Sequence, residues 1–412
     1  MMKKALKLIA ILLSLVMVFG MLAACGTGGE QPSGNPSVDP GTSPSVDPGT
    51  NPVQTLTYEN YAFDRSWPEE EVKIGVVLFN PTDDTWLRVQ DYFEYLASVF
   101  NFKFVYSEAI GSAEQEFQFI NSCAAAGCKG IYAYYNVAGP ASIMEATRLG
   151  MYYVGITDYY DRFVDNDHFV GGYTYITAGG KNGDYTAGYE LGYNLAMQDV
   201  KHIVYASGET KVGMFRDRAE GFYAGVAAAQ ADGSTVQFDP AVDVIGGWPD
   251  APTFAPMQTA ALTSDYDAVG SATDIAYWFQ PVSDAGKQMK MACIGSVSDS
   301  YKSYVENGTV SVIVYDCPEY VHGGALTMLL NCCTGYRNLA VNEDGTPRLQ
   351  YVYRWTINSA EQFMEIYNKH ANGEYYVSAA DVAMLMGGLN PDASTALMDQ
   401  VYGVPMADAM SK

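Results

Sequence analysis

Histidine is scarce in this chain, with four residues in 412. That argues against histidine-rich metal sites and histidine-dependent catalysis. Basic residues are also few: 23 Lys and Arg stand against 47 Asp and Glu, a formal net charge of −24. A body this acidic repels a phosphate backbone, which argues against nucleic-acid binding. No paired C-x-x-C spacing is present, so a zinc ribbon is not expected. The G-x-S-x-G, H-E-x-x-H and P-loop patterns are missing too, and Asp165-Asn166-Asp167 lacks the ligand spacing of an EF-hand loop. Hydrophobic residues are not scarce. At 48%, with 13% aromatic, they exclude a disordered chain and supply a sizeable core.

The N-terminus reads as an address. Lys3, Lys4 and Lys7 form a basic start, Leu8 to Ala24 carries no charge, and Leu22-Ala23-Ala24-Cys25 follows. This is the order of a secretory signal peptide over 1–24. The Leu-Ala-Ala-Cys run also resembles the bacterial lipobox, which implies Cys25 as the lipidated first residue of the mature protein; a plain signal anchor with an incidental cysteine is the other reading. A tether over 25–57 comes next. Pro32, Pro36, Pro40, Pro44, Pro48 and Pro52 recur every fourth residue, and PSVDPGTS is followed by PSVDPGTN. Such a segment forms no packed core and stays semi-extended, reaching on the order of 100 Å when stretched. The expected location is secreted across the cytoplasmic membrane and lipid-anchored on its outer face.

From Val72 onward strand and helix alternate. VKIGVVLF (72–79) is a continuous apolar run of the kind found in buried parallel strands. Asp83 or Asp84 can cap a following helix in which Leu87, Phe93, Leu96 and Phe100 recur. Strands are expected at 102–107, 131–135 and 152–157, with helices over 113–126 and 140–149. The theme restarts with strands at 202–207, 235–238, 268–272, 291–296 and 309–315, and helices near 213–230, 253–263, 274–288 and 298–307. The fold class is α/β, as two doubly wound parallel-sheet lobes. In open α/β sheets ligands bind beyond the carboxyl ends of the strands, so both lobes are expected to face one cleft.

The order of KIGVVLFNPTDDTW, RDRAEGFYAGV, DAVGSATDIA and CIGSVSDSYKSYVENGTVSVIVYDCPEYVHGGA over roughly residues 70 to 358 resembles the sugar-binding, lac-repressor-core-like class of periplasmic binding proteins, most closely the ribose-binding type. The resemblance implies the class I periplasmic-binding-protein fold, with three crossings between lobes near 174, 317 and 351. It implies a first lobe over 58–174 plus 318–350 and a second over 175–317 plus 351–412, the tail from 359 packing on the second. The family's DNA-reading headpiece is replaced by the lipobox, which implies a receptor and not a repressor.

Sugars present hydroxyls around apolar C–H faces, so a receptor needs aromatic plates together with carboxylates, amides and arginines. Asp83 and Trp86 match the family's loop after the first strand. Tyr135 or Asn136 occupies the site after the third, with the register open. Thr157 and Asp158 follow the fourth strand, where the family's neighbouring arginine is missing; Tyr159 joins Asp158 as a candidate. Arg216 matches the first arginine of R-x-R-x-x-G-F, with Arg218 read as structural; a surface salt bridge is the alternative for Arg216. Trp248 falls at a stacking position or on the lobe surface. Thr273 and Asp274 match an Asn-Asp pair, although Asp274 can serve as a helix N-cap alone. Ser296 replaces an aromatic, and Asp316 stands at the second crossing where ribose binders carry Gln. These departures keep the architecture and alter the pocket, pointing away from ribose itself.

Six cysteines remain beside Cys25. Cys123 and Cys128 at a helix end can approach each other, and Cys317 can meet Cys332 or Cys333; burial as small apolar residues is the other reading. The reading implied is a monomeric, lipid-anchored substrate-binding protein of an ABC importer. It would bind a sugar or sugar-like ligand by closing two lobes, with a membrane permease as partner, no cofactor, no metal and no catalytic residues. A nucleoside, autoinducer or amino-acid receptor feeding a sensor is the alternative on the same fold. A surface glycosidase using Asp83 and Asp274 is the rival from another class.

Overall fold

The structure, a computed structural model, describes residues 61–155, 160–177, 181–249 and 251–411. The signal segment, Cys25 and the tether lie outside the described residues. Twelve strands form two six-stranded sheets within one compact unit. The first holds β1 (Val72–Leu78), β2 (Phe102–Ala109), β3 (Gly130–Ala133), β4 (Tyr152–Gly155), β5 (Phe169–Tyr175) and β11 (Arg348–Val352), in the order β11-β5-β4-β3-β1-β2, all parallel. The second holds β6 (Ile203–Gly208), β7 (Val244–Gly246), β8 (Ala268–Ser271), β9 (Lys290–Gly295), β10 (Val310–Tyr315) and β12 (Trp355–Ile357), in the order β12-β10-β9-β8-β6-β7. Only β12 runs antiparallel to its neighbour.

The central apolar runs become strands buried on both faces. In the first sheet Ile74, Val76 and Leu78 face one core with helices α1 (Asp84–Val99) and α10 (Gly323–Cys333). Val77, Ile131 and Tyr153 face another with α2 (Ala113–Ala125) and α3 (Pro140–Arg148). Asp83 caps α1, its carboxylate accepting from the Trp86 amide at 3.0 Å. That bond satisfies an otherwise orphaned helix donor and fixes where the chain leaves β1.

In the second lobe α4 (Gly183–Ala196) and α5 (Gly213–Ala231) pack backbone to backbone. A Cβ on Gly188 would stand 2.0 Å from the Arg218 carbonyl, and one on Gly221 would stand 2.0 Å from that of Tyr185. Any side chain at these glycines would force the helices apart, and with them the acidic start of α4 from Arg218 on α5. The remaining helices of this lobe are α6 (Phe254–Thr263), α7 (Phe279–Asp284) and α8 (Asp299–Glu306).

Two local expectations change. The run 235–238 is not a strand: only Gln237 bridges to His202, and the edge strand lies at Val244–Gly246. Asp239 and Asp243 close a turn between them, the Asp239 amide donating to the Asp243 carboxylate at 2.7 Å. The helix expected over 274–288 shortens to a 3-10 turn at Ala276–Trp278 followed by α7.

The chain leaves the first sheet after Tyr175 and returns to it after Tyr315. It leaves again at Tyr353-Arg354, between β11 and β12, two residues beyond the expected 351. The tail is the larger correction. Its first helix, α11 (Ala360–Ala371), lies on α8 of the second lobe, where Tyr367 donates to Asp299. The chain then goes back to the first lobe through α12 (Ala379–Met384), α13 (Thr395–Tyr402) and α14 (Met406–Met410). Ala379 donates to the Tyr95 hydroxyl at 2.9 Å, Asn331 to the Leu385 carbonyl at 2.9 Å, and Arg348 to Asp399 at 2.5 Å. The physical reason is α10. It is apolar on every side and buried throughout, so its outer face needs a cover, and the tail supplies it.

The fourth passage is anchored on α9 (Pro318–Val321), directly after the second crossing. Glu319 is fully buried and accepts from His370 at 2.9 Å and from the Tyr376 amide at 3.1 Å. Among the described residues no helix is long and apolar enough to cross a membrane.

Candidate functional site

Side chains from both sheets' carboxyl ends and from all three crossings meet in one cluster. Arg354, on the third crossing, forms two bonds to Asp316 on the second, Nε to Oδ1 at 2.6 Å and Nη2 to Oδ2 at 3.3 Å. Its Nη1 donates to the Gly183 carbonyl at 2.9 Å and approaches Asp184 at 3.9 Å. The guanidinium lies 3.8 Å over the ring of Tyr175, the last residue before the first crossing. Arg218 completes the network, donating to Asp184 at 2.8 Å and to the Ala272 carbonyl at 2.7 Å. Bidentate pairing of this kind is strong and sets geometry as well as energy.

Aromatic rings line the first-lobe side. Tyr132 bonds the Nδ1 of His322 at 2.8 Å, while Tyr134 and Tyr173 pack on the same imidazole at 5.3 and 5.4 Å between centroids. Burial raises the Tyr134 hydroxyl well above its ordinary pKa, and the carboxylates of Asp83 and Asp316 add to the shift. Burial lowers the His322 imidazole to about 4, against the pull of Asp316. His322 is therefore neutral at pH 7. Burial pushes the Asp316 carboxyl up, but Arg354 more than offsets it and the net shift is downward.

A second acidic group joins the lobes. Asp84 accepts from the hydroxyls of Ser298 and Ser300, each at 2.7 Å, and its carbonyl accepts from Ser296 at 3.3 Å. Burial raises Asp83 and Asp274 above the usual carboxylate range, with Asp84 repelling both. The cluster thus offers carboxylate acceptors, arginine N–H groups and aromatic faces, the groups that engage a polyhydroxylated ring. Among the described residues no group of three His, Cys, Asp or Glu is placed to hold a metal ion. A cavity of about 590 Å³ lined by Phe279, Lys287, Met291 and Tyr304 lies at the amino end of β9, away from this chemistry.

Of the residues singled out from sequence, Asp316 pairs with Arg354 and Ser296 donates to the Asp84 carbonyl, while Asp83 and Asp274 accept from the amides of Trp86 and Ala276 in the turns after β1 and β8. The Thr273 amide donates to the Ser271 hydroxyl at 3.3 Å. Trp86 is fully buried, edge-on to Tyr134, Tyr106 and Phe93. Its role is to back the Tyr134 ring.

The other four candidates are placed as follows. Tyr135 packs on the exposed Phe79, while Tyr134, in the turn after β3, packs on His322 and Trp86. Asn136 spends its amide on the loop, donating to the Tyr153 hydroxyl at 2.8 Å and accepting from Gly139. Arg216 is 57% exposed and pairs with the adjacent Asp217, whereas Arg218 is 11% exposed and holds Asp184. Two residues move a helical side chain about 200° around the axis, so only one of these arginines can face inward. Trp248 is 39% exposed and packs edge-on against Phe215 within the second lobe. Asp158 and Tyr159 lie outside the described residues.

Sequence reasoning missed Tyr134, Tyr173, Tyr175, Asp184, His322 and Arg354. The alternation Tyr173-Thr174-Tyr175 before a crossing was a readable signal, as was Arg354 one residue before a new strand. His322 left none, being hidden in an apolar run.

No protein-family model matches the chain, and no curated protein matches it. Solved structures do. A carbohydrate transporter from Acidothermus cellulolyticus 11B, in complex with myo-inositol, is 16% identical with a TM-score of 0.53, covering 74% of this chain and 99% of that one. A galactofuranose binding protein is 14% identical with a TM-score of 0.56, covering 74% and 100%. An ABC transporter periplasmic solute binding protein from Actinobacillus succinogenes 130z, with bound D-allose, is 14% identical with a TM-score of 0.54, covering 71% and 99%. With two parallel-dominated sheets joined by three crossings, the chain has the class I fold of the sugar-binding periplasmic proteins.

Proposed function

We propose that this chain is a lipid-anchored extracytoplasmic solute-binding protein of an ABC importer, taking a sugar or sugar-like ligand between its lobes. The observation that carries the reading is the Tyr175–Arg354–Asp316 cluster. The three crossings between the sheets deliver polar or aromatic side chains to the same place where the strand ends of both sheets meet. A ligand bound there touches both lobes and the segments between them, so tighter binding to a closed arrangement shifts the population toward closure.

The ligand contacts are assigned to Asp83, Tyr134, Arg218, Asp274, Asp316 and Arg354, with no catalytic residue and no cofactor. Three neighbours of the same fold are binding proteins for a cyclitol or a sugar by their own descriptions, which supports a polyol class. The leader ending in Leu-Ala-Ala-Cys25 supports export and anchoring, and a membrane permease is the partner that follows from it.

The test is a thermal-shift screen of the purified protein against sugars, cyclitols, nucleosides, amino acids and furanoses. A ligand at a hundred times its dissociation constant adds about 2.7 kcal/mol, a visible upward shift. Hits confined to polyols and recovered unchanged support the reading. Hits confined to amino acids or nucleosides replace the ligand class, and turnover of a glycoside overturns the binding role.

A further inference from the structure

We propose that Cys123 and Cys128 are a disulfide-forming pair that staples the end of α2 to the start of β3. Helix α2 ends with Gly127 at φ 80°, and the Cys128 amide donates to the Cys123 carbonyl at 2.9 Å. This is the six-residue closure of a Schellman motif, which places the side chains of its first and last residues in contact. Those two residues are the cysteines. They are free thiols in this structure, 1% and 5% exposed, and both belong to the same core cluster.

Two further observations single out this pair. Gly75 leaves room for the sulfur: a Cβ there would stand 2.5 Å from Cys123 Sγ. The competing thiols, Cys332 and Cys333, pack with the core on the opposite face of the first sheet.

The oxidant is an external disulfide, RS–SR. One of the two thiols, giving its proton to solvent, attacks one of its sulfurs and releases RS⁻. The other, giving its proton to solvent, then attacks the protein sulfur of the mixed disulfide and releases the second RS⁻. Two cysteine thiols lose two electrons, and the external disulfide gains them as two thiols. Occupancy of the bridge in the cell rests on the proposed export, since exported proteins meet an oxidising space.

The test equilibrates the purified full chain with oxidised and reduced glutathione, then unfolds it in iodoacetamide without reductant. Peptide masses are read. Cys123 and Cys128 fall between Lys103 and Lys129, so trypsin leaves both on one peptide. The expected product escapes alkylation at both residues and is two hydrogens lighter, in the wild type and in Cys333→Ser alike. Cys128→Ser loses it. Alkylation of both cysteines at every glutathione ratio overturns the proposal, as does a bridge that disappears in Cys333→Ser. Protein alkylated at cell lysis separates the two readings. A bridge formed in glutathione but missing at lysis supports the pair and overturns export, whereas no bridge under either condition overturns the pair.

Discussion

Asp84 and Ser298 join the lobes directly: the serine hydroxyl of one lobe donates to the carboxylate of the other at 2.7 Å, and Ser300 repeats the bond on the same oxygen. The two lobes are thus held together, where the segments after β1 and β9 meet, by bonds that need no ligand. Hydrogen bonds to a charged acceptor contribute about 1.5–3 kcal/mol each, less where water competes.

Asp84→Ala removes both bonds. Its expected effect is a larger radius of gyration without ligand, by small-angle scattering, and about tenfold weaker ligand binding. An unchanged radius with unchanged affinity counts against this latch.

Arg354→Met leaves Asp316 buried without its partner. Losing one member of a buried pair costs about 3–5 kcal/mol. The urea midpoint should fall accordingly, with Asp316→Asn in the same background recovering part of the loss. A midpoint equal to wild type would mean that water reaches Asp316.

His322 gives a pH dependence of definite sign. Its folded pKa, about 4, lies below the ordinary 6.5, so its contribution is complete above 6.5 and is lost as pH falls toward 4. Between pH 7 and 5 this amounts to about 2 kcal/mol. The loss should appear in urea midpoints of the wild type and vanish in His322→Phe. Glu319, whose burial is more than offset by His370, is lowered and acts only below its ordinary 4.5.

Gly188→Ala drives a methyl against the Arg218 carbonyl. Overpacking of this kind costs about 1–3 kcal/mol, and the added spacing pulls Arg218 from Asp184. Thermal unfolding should drop by several degrees, with weaker ligand binding; Gly286→Ala, at an uncrowded turn, should leave binding unchanged.

Two neighbouring pairs test the assigned register. Tyr134→Ala and Arg218→Met should each weaken ligand binding by tenfold or more, whereas Tyr135→Ala and Arg216→Met should stay within twofold. Calorimetric titration of the four variants decides it, and the reverse ordering would return the site to the residues read from sequence.

Much of the fold was legible because buried parallel strands must be apolar on both faces. VKIGVVLF, IYAYY and TVSVIVY announce themselves that way, and Asp83 announces its helix by capping it. The stretch 235–238 misled for the same reason: it is apolar enough, yet the turn closed by Asp239 and Asp243 hands the sheet edge to Val244–Gly246. The tail misled because a cover for α10 leaves no periodic mark of its own partner. The candidate site was legible by region. Strand ends were predictable, while the choice of Tyr134 over Tyr135 and of Arg218 over Arg216 was not.

The sequence by itself determined the alternation of strand and helix, the two-sheet class and the acidic character, since each depends on composition or on neighbours a few residues apart. Tertiary structure alone decided which side chains meet. Arg354 and Asp316 are 38 residues apart and Asp84 and Ser298 are 214 apart. Such pairs form only when crossings and sheet ends are brought into register by packing, and no local pattern encodes a distance of that kind.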